Sequence, residues 1–157
     1  MADLLSVRRA ASSSSGAVST DYAFMLGLAP RLVAALPAWR DRQAALAHYA
    51  TLFRQVLEDA DDTAVLIATR GGQPAGFTVL YLLAHEHAVF VKDLAVSEQA
   101  EGSGVARLLM EVVYSYAREH GCRELRLKTD WNNGRARAFY ERAGFRNESV
   151  TLVDTLD

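Results

Sequence analysis

The chain has 157 residues, half of them apolar and 23% charged, with a formal net charge of -2. A chain of that size buries about 70% of its unfolded surface, so it holds a core without disulfides or metals. The single cysteine, Cys122, excludes an intrachain disulfide and suits a reducing compartment, and the near-neutral balance excludes a sequence-wide cationic field for nucleic acid or anionic membranes.

At the N-terminus, Leu4-Leu5 is too short for the apolar core of a signal peptide, and Arg8 and Arg9 follow it rather than precede it. No window offers the ~20 apolar residues that cross a bilayer. The expectation is one domain over residues 1–157, cytoplasmic, with residues 1–20 partly flexible. Leu4 to Arg9 reads as a first strand and the serine run Ser12 to Gly16 as a mobile loop. Asp21 reads as a helix cap before Phe24, Met25 and Leu28, and Pro30 should kink or split that helix. Pro37 and Trp39 mark a break. Asp41 then caps a helix with Leu46, Tyr49, Leu52, Phe53 and Val56 at helical spacing. Glu58 to Asp62 reads as a solvated acidic connector.

Three strand-like runs follow, Thr63–Thr69, Ala75–Leu83 and Ala88–Val96, the first two joined by a Gly71-Gly72 hairpin turn. His85-Glu86-His87 reads as a surface turn, because two histidines at i and i+2 are too few ligands for a metal site. From about Gly104 to His120, Val105, Leu108, Leu109, Val112, Val113, Tyr116 and Ala117 form one apolar stripe of a long helix, which Gly121 stops. Cys122 reads as a small packed residue beside the next strand, Glu124 to Lys128. A short helix over Asn133–Arg142 ends at Gly144, and Val150–Val153 reads as a last strand. No internal repeat is present.

The most informative stretch joins the third strand to the long helix. Gly102, Ser103, Gly104 and Ala106 carry little bulk, so an anion can approach the backbone where a helix begins and its N–H groups lack partners. A plain strand-to-helix turn uses glycine in the same way. A P-loop needs Lys followed by Ser or Thr after its second glycine, which this turn lacks. A dinucleotide fingerprint needs a third glycine where Arg107 stands.

Leu94-Ala-Val96, Glu101-Gly-Ser-Gly-Val-Ala106 and Leu108-Leu109 together resemble motif A of the GNAT family of N-acetyltransferases, which reads Gln/Arg-x-x-Gly-x-Gly/Ala. Asn133-Gly-Arg-Ala-Arg-Ala-Phe-Tyr140, followed by Gly144-Phe145, resembles the family's Asn-x-x-Ala-x-x-Phe-Tyr…Gly-Phe signature. One helix and one strand separate the two stretches, as in the family. The resemblance runs from about Val65 to Phe145 and is thin before it, where such proteins choose their substrates. It departs from the family at Glu101, where Gln or Arg is preferred. A carboxylate there opposes a diphosphate by Coulomb repulsion, which solvent exposure would screen.

The resemblance implies an α/β (α+β) fold. A mixed, mostly antiparallel, twisted sheet of six to seven strands is flanked by about four helices and splays between two central parallel strands. It implies acetyl-coenzyme A as cosubstrate and no metal. The diphosphate would lie on backbone N–H groups of Gly102, Ser103, Gly104, Val105 and Ala106, and the pantetheine arm along Leu94, Ala95 and Val96. Tyr140 would give a hydrogen bond to the departing sulfur; by spacing alone, Ala136, Phe139, Tyr140 and Ala143 form an apolar stripe in which Tyr140 is core. Asn133 caps the helix, contacts the cofactor arm, or does both. Asp93 interrupts an apolar strand, either as a structural ion pair with Lys92 or Lys128 or as a proton acceptor. Glu86, His85 and Asp130 are weaker candidates for that acceptor. The acceptor amine would belong to a small molecule or peptide, and Trp39, Trp131 and the acidic residues either line its pocket or are rim or core residues. A homodimer is common in the family. The rival reading is a module of the same fold that holds acyl-coenzyme A without chemistry.

Overall fold

The computed structural model describes residues 4–11, 19–58 and 61–156. The expected serine loop, and residues 59–60 of the acidic connector, lie outside the described residues. Five strands form one sheet in the order of the chain: β1 (Leu5–Arg9), β2 (Thr63–Arg70), β3 (Gln73–Leu83), β4 (Ala88–Val96) and β5 (Glu124–Leu127). All neighbours are antiparallel except β4 and β5, which run parallel. Between them lie α1 (Thr20–Val33), α2 (Arg42–Glu58), α3 (Val105–Glu119) and α4 (Gly134–Arg142). Short 3₁₀ turns cover Ala84–Glu86 and Glu98–Ala100.

The sheet separates two cores. On one face α1 and α2 bury Met25, Leu28, Phe53 and Val56 against Val65, Ile67, Phe77, Val79 and Ala95. On the other, α3 lays Val105, Leu109, Val113 and Ala117 on Ala64, Leu66, Ala68, Leu80, Val89 and Val91. β2 is therefore apolar on both sides, a continuous Ala-Val-Leu-Ile-Ala run rather than an alternating one. The β2–β3 hairpin turns at Gly71 and Gly72, with φ of +58° and +81°, which is the twist a two-residue hairpin turn requires.

Several expectations are corrected. The sheet has five strands among the described residues, not six or seven, and its parallel pair lies at one edge because β5 has β4 as its only partner. Residues 150–153 are not a strand: Val150 and Leu152 are exposed, and the segment makes no ladder. Strand propensity measures fit to a neighbouring pleated surface, and this segment lies against none. Helix α1 runs through Pro30 without splitting, since the proline falls in its last turn, where only one interior hydrogen bond is lost. Ser19, not Asp21, caps that helix, its hydroxyl accepting from the Tyr22 N–H at 3.1 Å. Asp21 is buried instead against Arg8 of β1, taking two hydrogen bonds at 2.9 and 2.7 Å and a third from the Ala11 N–H at 2.9 Å. The Arg8 guanidinium holds the Asp21 carboxyl below its ordinary range, against the opposing push of burial. Asp41 does cap α2, through the Ala44 N–H at 3.0 Å.

Candidate active site

β4 ends at Val96, a 3₁₀ turn follows, and the chain passes through Gly102 and Gly104, with φ of +73° and +88°, into α3. Left-handed backbone of that kind suits glycine and strains other residues. A side chain at Gly102 would meet nothing within 4 Å, so the backbone there is open to approach. No side chain caps α3. Among the described residues the N–H groups of Val105, Ala106 and Arg107 have no acceptor within the protein. Three donors converging at the positive end of a helix dipole form a place for an oxyanion. The Ser103 hydroxyl is already committed to the Ala100 carbonyl, so Ser103 offers backbone rather than side chain.

The start of α3 is seated by Gly76 of β3. A Cβ at that position would fall 2.9 Å from the Ala95 carbonyl oxygen and 2.9 Å from Val105 Cγ1. Only a bare Cα lets the helix sit this close to β3 and β4.

β4 and β5 pair from Ala88↔Glu124 to Val91↔Leu127, and there the pairing ends. From Lys92 to Val96, β4 keeps β3 on one side, and among the described residues no strand lies on the other. Leu94, Ala95 and Val96 thus present an unpaired strand edge that leads to the turn before α3. The N-terminus of α4 reaches the turn before α3 through the Arg135–Glu101 ion pair. Asn133 caps α4, its Oδ1 accepting from the Ala136 N–H at 3.1 Å. Asn133 also lines a cavity of about 580 Å³ between α4 and the α1–α2 connection.

A bulge decides where Asp93 points. Val79 opposes Asp93 but Leu80 opposes Val91, so Lys92 is the extra residue on β4. Val89 and Val91 face α3, whereas after the bulge Ala95 joins the core on the α1–α2 face. One inserted residue reverses the alternation of a strand and carries Asp93 to the α2 side. The Thr78 hydroxyl donates to the Asp93 carbonyl at 2.8 Å and secures the bulge.

Asp93 is only 7% exposed. Its Oδ1 accepts from the Tyr49 hydroxyl of α2 at 2.8 Å, and its Oδ2 lies 3.4 Å from Lys92 Nζ. Burial raises the Asp93 carboxyl above its ordinary range; Lys92 and the Tyr49 hydroxyl draw it back only in part. The same burial, with the Asp93 charge added, raises the Tyr49 phenol strongly and the Tyr81 phenol in the same direction. Tyr140 of α4 stacks edge-on with Phe139 and Phe145 at 5.2 and 5.5 Å. Burial, with a contribution from Asp93, pushes its phenol up to about 12.

The structure thus gathers Asp93 and Tyr140 into one electrostatic neighbourhood. It also sets Gly102–Ala106 beside the free edge of Leu94–Val96. Of the ion-pair partners considered for Asp93, Lys92 makes the contact. Glu86 is turned to the surface with Arg126, while the Asp130 charge reaches Tyr49. Trp39 and Trp131 are exposed, each under an arginine, with Arg40 4.6 Å and Arg137 4.1 Å from the ring centroids.

Three residues of this region escape sequence reading. Tyr49 sits in a helical apolar stripe, where a phenol reads like any packed aromatic. Arg31 and Arg135 lie on different helices, and only the fold brings both to Glu101, where each forms an ion pair.

A mixed sheet with one parallel pair that parts beside an uncapped helix start is the architecture of acyl-transferring enzymes of the N-acetyltransferase type. The chain belongs to the acetyltransferase (GNAT) family, whose model matches residues 28–145. YhfO of Bacillus subtilis (strain 168), an uncharacterized N-acetyltransferase, is 29% identical over 112 residues, 69% of this chain and 75% of that protein. Aminoglycoside N(6′)-acetyltransferase type 1 of Stenotrophomonas maltophilia is 30% identical over 99 residues, 58% of this chain and 64% of that one. Among solved structures, the aminoglycoside N-acetyltransferase AAC(6′)-Iy in complex with CoA superposes with a TM-score of 0.71 at 22% identity, over 99% of this chain and 97% of that one. That last likeness speaks for the fold.

Proposed function

We propose that the chain transfers an acetyl group from acetyl-coenzyme A to a primary amine of a small molecule or peptide, by direct attack in a ternary complex. The observation that carries this reading is the uncapped start of α3, with three unpaired N–H donors, next to the unpaired edge of β4. The residues fit the cofactor: Gly102, Ser103, Gly104, Val105 and Ala106 hold its diphosphate through backbone. Leu94, Ala95, Val96 and Asn133 align its arm. When bound, acetyl-coenzyme A supplies the activated thioester. The names of relatives such as the aminoglycoside acetyltransferase support an amine on a small molecule as acceptor.

The protein's own groups then manage protons. An alkyl ammonium has a pKa of about 10.4 and must lose a proton before it attacks. Asp93, raised by burial and held by Tyr49, receives that proton directly or through water. Tyr140, with its phenol pushed up to about 12, stays protonated at neutral pH and donates a hydrogen bond to the leaving sulfur. A thiolate, with a pKa near 8.5, needs no stronger donor. A backbone N–H along Leu94–Val96 serves the oxyanion. Neither Cys122 nor any serine of the described residues stands beside an activating base, so the reading contains no covalent enzyme intermediate.

Transfer of the label from acetyl-labelled acetyl-coenzyme A to each of a panel of amines, with release of coenzyme A, tests the reaction. Tyr140→Phe should lower kcat by about 10² or more while coenzyme A still binds, in line with the worth of a positioned acid. Cofactor binding with no transfer to any amine would instead favour the module that holds acyl-coenzyme A without chemistry.

A further inference from the structure

The cavity between α4 and the α1–α2 connection is lined by three arginines, Arg31, Arg42 and Arg135, together with Asn132 and Asn133. Their charges are poorly matched within the protein. Arg31, at the end of α1, and Arg135, in the first turn of α4, both pair with a single carboxylate, Glu101, which itself precedes the glycine turn of α3. The Arg135–Glu101 contact is 2.9 Å. Arg42 reaches only the Ala34 carbonyl, at 3.4 Å. Two of the three guanidiniums that line the cavity thus share one carboxylate, and that carboxylate stands one residue before Gly102 of the proposed diphosphate turn. Glu101 is held below its ordinary pKa, first by its hydrogen bonds to Arg135 and Arg31.

Glu101 is the residue that looked wrong for this turn. A lone carboxylate beside a diphosphate is repulsive, but here it stands with two guanidiniums, so the three side chains together carry a net positive charge. All three side chains remain partly exposed, at 36% for Arg31, 72% for Arg135 and 30% for Glu101. Ion pairs that exposed contribute little to stability, so exchanging one partner for another costs little. Guanidinium forks match phosphate oxygens as well as they match carboxylate oxygens.

We propose that Arg31 and Arg135 are diphosphate ligands of this chain, and that Glu101 is a resident carboxylate that occupies the two guanidiniums in the free protein until the diphosphate displaces it. The inference rests on the proposed cofactor. The exchange breaks no covalent bond. The two guanidiniums turn from the Glu101 oxygens to the phosphate oxygens, and Glu101 turns to solvent.

Calorimetric titration of the full chain with coenzyme A, at several salt concentrations, tests this. Arg31→Gln and Arg135→Gln should each raise Kd by about tenfold or more, the worth of a charge-assisted contact, and flatten the dependence of log Kd on log salt. Glu101→Gln should lower Kd, because a carboxylate that competes for the two guanidiniums and repels the diphosphate is removed. Dephospho-coenzyme A, which keeps the diphosphate and lacks the ribose phosphate, should show the same losses. Thermal melts of each variant guard against misfolding, and the tightening expected of Glu101→Gln is a result a damaged fold would not give. Unchanged affinity in the arginine variants, or weaker binding in Glu101→Gln, overturns the proposal while the acetyl-transfer reading stands. Losses that vanish with dephospho-coenzyme A overturn it too, assigning the arginines to the ribose phosphate. No binding of coenzyme A by the unaltered protein would sink both.

Discussion

The two sides of the cleft are built to different standards. β2 and the middle of β3 are buried on both faces, between α1–α2 and α3, and β4 alternates buried with half-buried residues. β5 has four residues and no fully buried side chain, α4 has none either, and residues 146–156 are exposed throughout. The candidate site straddles this divide. Asp93, Tyr49 and the start of α3 belong to the packed side; Asn133, Arg135 and Tyr140 belong to the thin side. The lesson is that groups needing fixed direction, a buried carboxylate and a row of backbone donors, are set in the solid part. The groups that must meet a long ligand ride on a helix that few contacts hold. Segments with few buried contacts open at low free energy, which suits a cleft wall that must admit a ligand.

The sharpest way to break the comparison is to cut each side equally. Phe77→Ala, fully buried between Phe24 and Phe53, should lose about 3–5 kcal/mol of stability in denaturant unfolding. Leu152→Ala, at 90% exposed, should change it by less than about 0.5 kcal/mol. Similar losses at the two positions would mean that the C-terminal segment is packed after all.

Between those extremes stand substitutions that sharpen the account of the packed side. Gly76→Ala places a methyl group against the Ala95 carbonyl and Val105, and should cost about 1–3 kcal/mol as an overpacked site. Cofactor affinity should fall with it if the seat of α3 matters for binding. Asp21→Asn, which breaks the double contact with Arg8, should cost about 1–3 kcal/mol at neutral pH.

The two buried carboxylates also titrate with opposite sign. Asp21 is held low in the folded protein, so its contribution is present above the unfolded value of about 3.9 and is lost as pH falls below it. Asp93 is held high, so the folded state takes up its proton first. Stability from Asp93 is therefore lowest at neutral pH and rises as pH falls through the raised folded value towards about 3.9. Unfolding measured from pH 7 to pH 3 should show a steeper acid loss in Asp93→Asn than in the unaltered chain, and a shallower one in Asp21→Asn. The reverse assignment would contradict the burial argument.

Much of the packed side was legible in the sequence because its signals are periodic. The stripe from Val105 to Ala117 has the period of an amphipathic helix, and Gly71-Gly72 between two apolar runs signals a hairpin. Asn133 and Asp41 announced their helices as caps. What was not legible depends on register or on distant pairing. The Lys92 bulge leaves no mark in a run of strand-forming residues, yet it decides which face Asp93 takes. Ser19 beat Asp21 to the cap because Arg8, far off in the chain, claimed the carboxylate. Val150–Val153 has the composition of a strand without a surface to pair with. Glu101 looked like a defect of the glycine turn when read alone, and only the fold supplies its two arginines.

Backbone amide hydrogen exchange, followed residue by residue with and without coenzyme A, tests the central claim most directly. Without ligand, the amides of β5 and α4 should exchange well before those of β2 and β3. With coenzyme A, exchange at Val105, Ala106 and Arg107 should slow, because N–H groups without acceptors gain them, and protection should extend to the first turn of α4. Unchanged exchange at those three amides under saturating coenzyme A would mean that the start of α3 holds no diphosphate.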